Sequence, residues 1–428
     1  MNPEGAAIAQ PPPGRGRLAT GALFLLVASV TYNLPLAILN AHGVAVGRGA
    51  LIGVEAVLMG FGLLLALSGW RAEMTRWLLM IGVFFALAMV LSLFRQGFDP
   101  KSFRDTLMFA VFIMAGMLVS WTDIRRAFVG LHVAILLVML IEVLLPAQYG
   151  AFVDPRSYFI NSRGFSPEQL LGESNLFGAV RPDERYFLPW LGWNRASSLF
   201  LEPLSLGNYV SFAVLAIMLF WRDWTARMRL FMLVSSAVIL VGCDGRFAGI
   251  SCVLLLLLAP LLRRLPTSLA AFYLPAGVLV TRVFSAALAW NPIEDNFTGR
   301  LARGMKQLFK LDWYDLAGFS VPTPALADSG IAYLVMAQSL VGVVILQAFL
   351  YLQPGLRRPD QRFYVHATAL TFALSILVSI SMLSIKTAGF YWFLMGMMIV
   401  LPRQQDARRP LGSTGTMQFN TRRGDQPI

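Results

Sequence analysis

The sequence predicts an all-α polytopic membrane protein, and three observations carry that expectation. Of the 428 residues, 57% are apolar and 14% charged, where soluble domains hold roughly 45–50% and about 25%. Twelve mostly apolar runs approach the ~20 residues that a helix needs to cross a bilayer. The basic residues, which bring the net charge to +12, stand in short strips between those runs, as in a membrane protein displaying its orientation. These features exclude a cytosolic enzyme, a DNA-binding module and a disordered scaffold, and imply no nucleic-acid partner.

Residues 1–17, with the Pro-rich QPPPGRGR, read as a disordered cytoplasmic tail ahead of an uncleaved first anchor. The membrane domain covers 18–402. Its expected spans begin with Leu18–Leu39, Ala50–Gly69, Trp77–Phe94, Thr106–Trp121 and Ala127–Leu145. After a long polar stretch come Leu199–Trp221, Leu230–Gly242, Phe247–Leu262 and Ser268–Trp290. A second long stretch precedes Ser329–Leu352, Tyr364–Ile385 and Ala388–Leu401. Residues 403–428 are polar and Arg-rich and read as a second cytoplasmic tail.

Placing the N-terminus in the cytoplasm and alternating puts 19 Lys and Arg on the inner side. The short outer loops then hold six: Arg48, Arg95, Lys101, Arg104, Arg246 and Lys386. That bias supports twelve spans with both termini inside. The two long stretches, 146–198 and 291–328, fall on the outer face. Loops of that length are usually functional or disordered, and these are aromatic-rich, the first containing Tyr158, Phe159, Tyr186, Phe187, Trp190 and Trp193. The second contains an amphipathic segment with Phe297, Leu301, Leu308 and Phe309 apolar and Arg300, Arg303, Lys306 and Lys310 basic, suited to lying at headgroup level. Chemistry is therefore expected at the outer face.

Cys243 and Cys252 imply no disulfide framework, and His42, His132 and His366 have no metal-ligand spacing. No P-loop, Rossmann fingerprint or Asp-x-Asp pair is present, so no nucleotide site is read and no cofactor is expected.

Charges in spans are costly and mark candidate sites. Arg195 and Glu202 stand seven residues apart, about two helical turns, so that both face one side, either as a packing ion pair or as the wall of a cavity. Pro203 would break the backbone pattern there. The runs flanking Cys243-Asp244-Gly245-Arg246 are only 13 and 16 residues long. The shorter spans ~20 Å of a ~30 Å core, which recesses the turn. Arg246 then wants a partner, either Asp244 or a bound phosphate, which a guanidinium fork suits. Arg282, about two turns inside its span, either faces the same cleft or snorkels outward. Asp328 either caps the tenth span or serves as general base for a hydroxyl. Trp190 and Trp193 either stack on sugar rings or form an interfacial belt. Asn296-Phe-Thr matches a glycosylation acceptor, a pattern too frequent to carry weight.

The chain resembles the Wzy-type polysaccharide polymerases, relatives of the O-antigen ligases, and among them the xanthan-type exopolysaccharide polymerases. Three places carry the likeness: Arg195 to Gly207 in RASSLFLEPLSLG, the Gly245-Arg246 outer turn, and Asp328-Ser-Gly followed by Gly342. The resemblance implies a GT-C-like membrane fold with two large periplasmic loops, in a bacterial inner membrane. It implies transfer of a glycan from undecaprenyl diphosphate to a hydroxyl of a second lipid-linked repeat, with inversion and without a metal. Both lipid-linked oligosaccharides, membrane lipids and other exopolysaccharide assembly proteins are the implied partners. Arg195 and Arg246, with Arg300 as a third, would hold the diphosphate. Asp328 would stand where the ligases use a histidine base, and Glu202 would orient Arg195 or be structural. An O-antigen-ligase-like transferase and a transporter or flippase of lipid-linked sugars are the alternatives.

Overall fold

The computed structural model describes residues 15–166, 174–180, 194–294, 296–323, 326, 329–353, 356 and 358–406, and every regular element among them is helical. A helix closes its backbone hydrogen bonds within one segment, which is what hydrocarbon solvent demands. The first half contains α1 (Arg15–Thr31), α2 (Asn33–Ala41), α3 (Arg48–Ser68), α4 (Thr75–Arg95), α5 (Pro100–Gly116), α6 (Trp121–Leu144), α7 (Pro146–Val153) and α8 (Pro155–Arg163). The second half contains α9 (Pro203–Phe220), α10 (Ala226–Gly242), α11 (Arg246–Leu262), α12 (Tyr273–Ala287), α13 (Phe297–Leu308), α14 (Trp313–Leu316), α15 (Gly330–Tyr351), α16 (Pro359–Val378) and α17 (Ile385–Asp406).

Each of the twelve apolar runs falls on a helix, the first on the α1–α2 pair. By length and composition, six helices can cross a bilayer: α3, α4, α6, α9, α12 and α15, three of them extended by a flanking 3-10 turn. The count is seven if α1 and α2, bent by 48°, form one broken span. The protein is therefore a polytopic helical membrane protein. Helices α5, α10 and α11 have 17 residues each, short of a full crossing at 1.5 Å per residue.

Helices that are apolar all round belong in an interior, and α5 and α17 form the axis here. Met108–Val119 and Ile385–Met398 are buried on every side. Their contact is set by two glycines. A Cβ on Gly116 would lie 1.8 Å from the Phe393 carbonyl oxygen, and one on Gly396 would lie 1.8 Å from that of Ile113. The two backbones thus touch reciprocally, the close approach that small residues permit between membrane helices. Around this axis α9, α15 and α16 are also largely buried. In contrast α3, α4, α6, α11 and α12 expose rows of large apolar residues such as Leu64, Leu93, Leu144, Leu257 and Leu279, the surface a lipid would cover.

Charges inside the bundle are paired. Arg104 bridges Glu55 and Asp105, and Tyr32 and Tyr333 donate to those carboxylates at 2.8 and 2.7 Å. Arg95 donates to the carbonyls of Met336 (2.6 Å) and Ala337 (3.0 Å) beside a break in α15 at Ser339, where φ is +65°. Arg76 donates to Ala348, Phe349 and Leu352, the carbonyls that end α15, as cations at helix C-termini do. Arg95 and Arg104, expected as loop charges, are thus internal fasteners.

The long stretches are folded where they are described. Helices α7 and α8 build a small separate core from Tyr149, Val153, Tyr158 and Phe159. Tyr158 donates to Asn33 at 2.7 Å, and burial pushes its phenol up to about 12. Helix α13 turns Leu301, Ala302 and Met305 inward and receives a hydrogen bond from Ser329 at the Gly304 carbonyl (3.1 Å). That part of its apolar face packs on protein, while Phe309 just past its end stays exposed. Asn296 accepts from Gly299 N–H at 2.7 Å as the cap of α13.

Introducing a side chain at the axis should be far costlier than at the lipid-facing surface. Gly116→Ala and Gly396→Ala are expected to lose about 3 kcal/mol or more. Gly82→Ala in α4, where a Cβ meets nothing within 4 Å, should be neutral or stabilising. Thermal unfolding of the purified proteins in detergent reads the difference; equal midpoints would mean that the two backbones are not in contact.

Candidate functional site

Residues 194–202 form an arch between the first long loop and α9. The segment is irregular through Ser197, makes a 3-10 turn over Ser198–Phe200, and enters α9 with Glu202 at the N-cap and Pro203 at the first helical position. Proline is well placed there, since its missing N–H is not needed. Pro203 therefore starts a helix, where the sequence suggested a break. Arg195 and Glu202 are not two turns of one helix, because Ser198 (φ +50°) and Leu201 (φ +58°) turn the chain left-handed between them. Such backbone costs of order 1–3 kcal/mol per residue and survives where neighbours over-determine it.

Those neighbours are specific. Glu142, buried on α6, accepts from Ser197 N–H (2.8 Å), Ser197 Oγ (2.7 Å) and Ser198 N–H (2.6 Å). Ser198 Oγ donates to the Ile135 carbonyl at 2.6 Å, and Tyr149 donates to the Ser198 carbonyl at 3.3 Å. At the far end, buried Lys386 at the start of α17 donates to the Phe200 carbonyl (3.1 Å) and to Glu202 Oε2 (2.7 Å). Ser205 also donates to Glu202 (2.9 Å), and Arg163 at the end of α8 stands 3.9 Å away.

The arch lies over the Cys243–Arg246 turn. Ala196 N–H donates to the Gly242 carbonyl at 2.8 Å. Arg195 donates to the carbonyls of Cys243 and Gly178, each at 3.3 Å, and its Nε stands 4.0 Å from Asp244 Oδ2. Asp244 is buried and left-handed (φ +48°), and Arg246 opens α11 two residues on. Gly207 and Gly245 let α9 meet this turn: a Cβ on Gly245 would lie 3.4 Å from the Gly207 Cα.

Further N-termini close in. The rings of Phe247 and Phe297, at the starts of α11 and α13, are 6.0 Å apart, which brings the first turn carrying Arg300 toward Arg246. Asn208 near the start of α9 donates to Ser381, just before α17, at 3.0 Å. Each such helix end presents backbone N–H groups and partial positive charge. Cations Arg195, Arg246, Lys386 and Arg163 thus stand with acids Asp244 and Glu202 where several helices begin, an arrangement able to hold an anion.

The structure brings Arg195 against Asp244 in the turn that leads into Arg246, puts Glu202 at the other end of the same arch, and sets the start of α13, the helix of Arg300, beside the start of α11. It separates Arg195 from Glu202 as partners, giving them Asp244 and Lys386 respectively. Arg282 does not face the arch: its guanidinium lies 5.1 Å from the Phe309 ring, beyond the opposite end of α13 from Arg300 and ~13 Å along that axis. Asp328, Trp190 and Trp193 lie outside the described residues. The cap of α15 is Ser329, whose Oγ accepts from Ala332 N–H at 3.4 Å. Cys243 and Cys252 are buried thiols. His132 sits between Tyr209 and Ser235, each at 2.7 Å. Among the described residues no group of three or more His, Cys, Asp or Glu is arranged to hold a metal ion.

Sequence reasoning missed Glu142, Lys386 and Arg163. The first was discoverable: an acid inside the apolar run VMLIEVLL is the signal that flags a functional or fastening charge. Compared with protein-family models, curated proteins and solved structures, the chain matches none of them.

The Lys386–Glu202 pair should behave as a fastener of the arch. Glu202→Gln leaves the buried ammonium without its nearest countercharge and is expected to cost of order 3 kcal/mol, while Glu202→Gln/Lys386→Met should recover part of that loss. Unfolding midpoints of the four proteins in the cycle test this; a double variant less stable than either single one would remove the pair from the account.

Proposed function

We propose that this chain is a glycosyltransferase of the inner membrane that polymerises oligosaccharide repeats carried on undecaprenyl diphosphate, acting at the periplasmic face. The observation that carries the reading is the placement of Arg195 and Arg246 on either side of the buried Asp244 turn, where helices begin. The proposal includes twelve spans, with α5, α10, α11, α16 and α17 as the shorter or more polar crossings, both termini cytoplasmic and a GT-C-like arrangement.

In this reading the diphosphate of the donor lipid lies against Arg195 and Arg246, with Arg300 reaching it from α13. An acceptor hydroxyl attacks the anomeric carbon from the face opposite the diphosphate. The new C–O bond forms as the bond to the diphosphate oxygen breaks, and that oxygen keeps the electron pair. The hydroxyl proton passes to a base, for which Asp328 is the candidate. Negative charge grows on the leaving diphosphate, so fixed cations and helix N-termini favour the transition state over the ground state. Glu202 and Glu142 have a positioning part: one holds the arch through Lys386, the other through Ser197 and Ser198. The donor being lipid-linked accords with a sequence lacking a nucleotide-binding motif. Transfer to a different acceptor, as in an O-antigen ligase, would use the same groups.

A second reading, a carrier of lipid-linked sugars, is favoured by the bend between α1 and α2 and the break in α15 at Ser339. Discontinuous helices of this kind line transporter binding sites.

Purified protein in liposomes, given a lipid-linked repeat, excess chelator and no nucleotide sugar, is expected to yield a ladder of repeat multiples. Arg246→Ala should abolish it. Arg246→Lys keeps the charge but loses the bidentate fork, and should drop the rate at least tenfold, about 1.4 kcal/mol in barrier. Repeat units crossing the bilayer without a ladder would select the carrier, and one transfer to an added foreign acceptor would select the ligase. Full activity of Arg246→Lys would remove the diphosphate role.

A further inference from the structure

We infer that a groove between α12 and α13 seats the phosphate headgroup of a membrane lipid. The groove encloses about 370 Å³, within the ~300–1,000 Å³ range of small-molecule sites and far more than a bare phosphate fills. Arg282 and Ser285, three residues apart on one face of α12, form one wall; Lys306 on α13 forms the other. Trp290, Phe309 and buried Met305 complete its lining.

The charges and their surroundings specify the occupant. Arg282 lies in a helix otherwise dressed for hydrocarbon, with Leu279, Val280, Val283, Phe284 and Leu288 all exposed. An arginine in such a span is expensive unless it meets an anion or reaches the interface. The Phe309 ring flanks its guanidinium at 5.1 Å, and a guanidinium takes phosphate through two parallel hydrogen bonds. Lys306 supplies a second positive charge from the facing helix. Exposed apolar residues of α12 flank Arg282 in both directions along the helix, so an anion attached to an aliphatic chain satisfies both surfaces at once. A soluble phosphate would use the two cations and leave the stripe unused. The occupant is therefore a lipid, its chain along α12 and its phosphate between Arg282 and Lys306. Its retention does not require glycan transfer at the arch.

Full-length protein in neutral detergent, incubated with phosphatidylglycerol, tests the site when retained lipid is counted by native mass spectrometry. The parent protein should retain phosphatidylglycerol and not the diacylglycerol of the same chains. Arg282→Gln/Lys306→Gln should retain about tenfold less, the loss expected for one or two charge-assisted hydrogen bonds. Arg282→Lys/Lys306→Arg should retain most of it, which separates lost charge from lost fold. A control pair elsewhere, Arg222→Gln/Arg227→Gln, should behave as the parent. Undiminished retention in the Gln pair would overturn the site. Equal retention of diacylglycerol would reduce it to an apolar stripe, and displacement by inorganic phosphate alone would make it an anion site and not a lipid one.

Discussion

The paired contacts of Gly116 with Phe393 and of Gly396 with Ile113 fix much of what surrounds them. With no side chain on either glycine, the backbones of α5 and α17 touch, and dispersion across that contact substitutes for the hydrophobic drive that hydrocarbon solvent does not supply. Helix α17 is thereby held at a defined height, and its first turn carries Lys386. That ammonium reaches the Phe200 carbonyl and Glu202, so the geometry of the arch depends on a crossing one helix away. At its other end α5 carries Arg104, which ties α3 through Glu55. One close approach thus couples the packing of the bundle to the placement of its charged groups.

The second principle of the structure is that several internal charges fasten backbone. Arg76 and Arg95 occupy carbonyls of α15, Lys386 occupies one in the arch, and Glu142 collects two N–H groups and a hydroxyl from the same arch. In low dielectric an unsatisfied peptide group costs several kcal/mol, so irregular segments at membrane depth survive only with such partners. The arch and the break at Ser339 are two such segments. The left-handed residues Ser198, Leu201 and Ser339 stand where these charges can hold them. Where strain and charge coincide, between Glu142 and Lys386, Arg195 is presented to the turn that begins α11.

The long membrane helices were legible in the sequence because each is a run of apolar residues bounded by polar strips, whereas α7, α8 and α14 are not such runs and were not read as helices. The candidate site was legible in part. Arg195, Asp244 and Arg246 stood out as charges among apolar residues, and Arg195 does meet the Asp244 turn that leads into Arg246. Their pairing was not legible. Spacing suggested Arg195 with Glu202, since a helix was assumed between them; two left-handed residues invalidate that assumption, and nothing in RASSLFLEP marks Ser198 or Leu201 as left-handed. Arg282 looked like a member of the same cluster because its depth in a span is readable, whereas the direction it faces depends on where α13 packs.

The sequence by itself determined that this chain lives in a membrane, where its helices run and which residues are too polar for their surroundings. Those are properties of local composition, set by the free energy of moving each segment from water to hydrocarbon. Tertiary structure decided which charges pair, which helices are buried on every side and where the groove on α12 opens. Those depend on contacts between residues far apart in the chain, such as Phe200 with Lys386 or Gly116 with Phe393, and local composition carries no record of them.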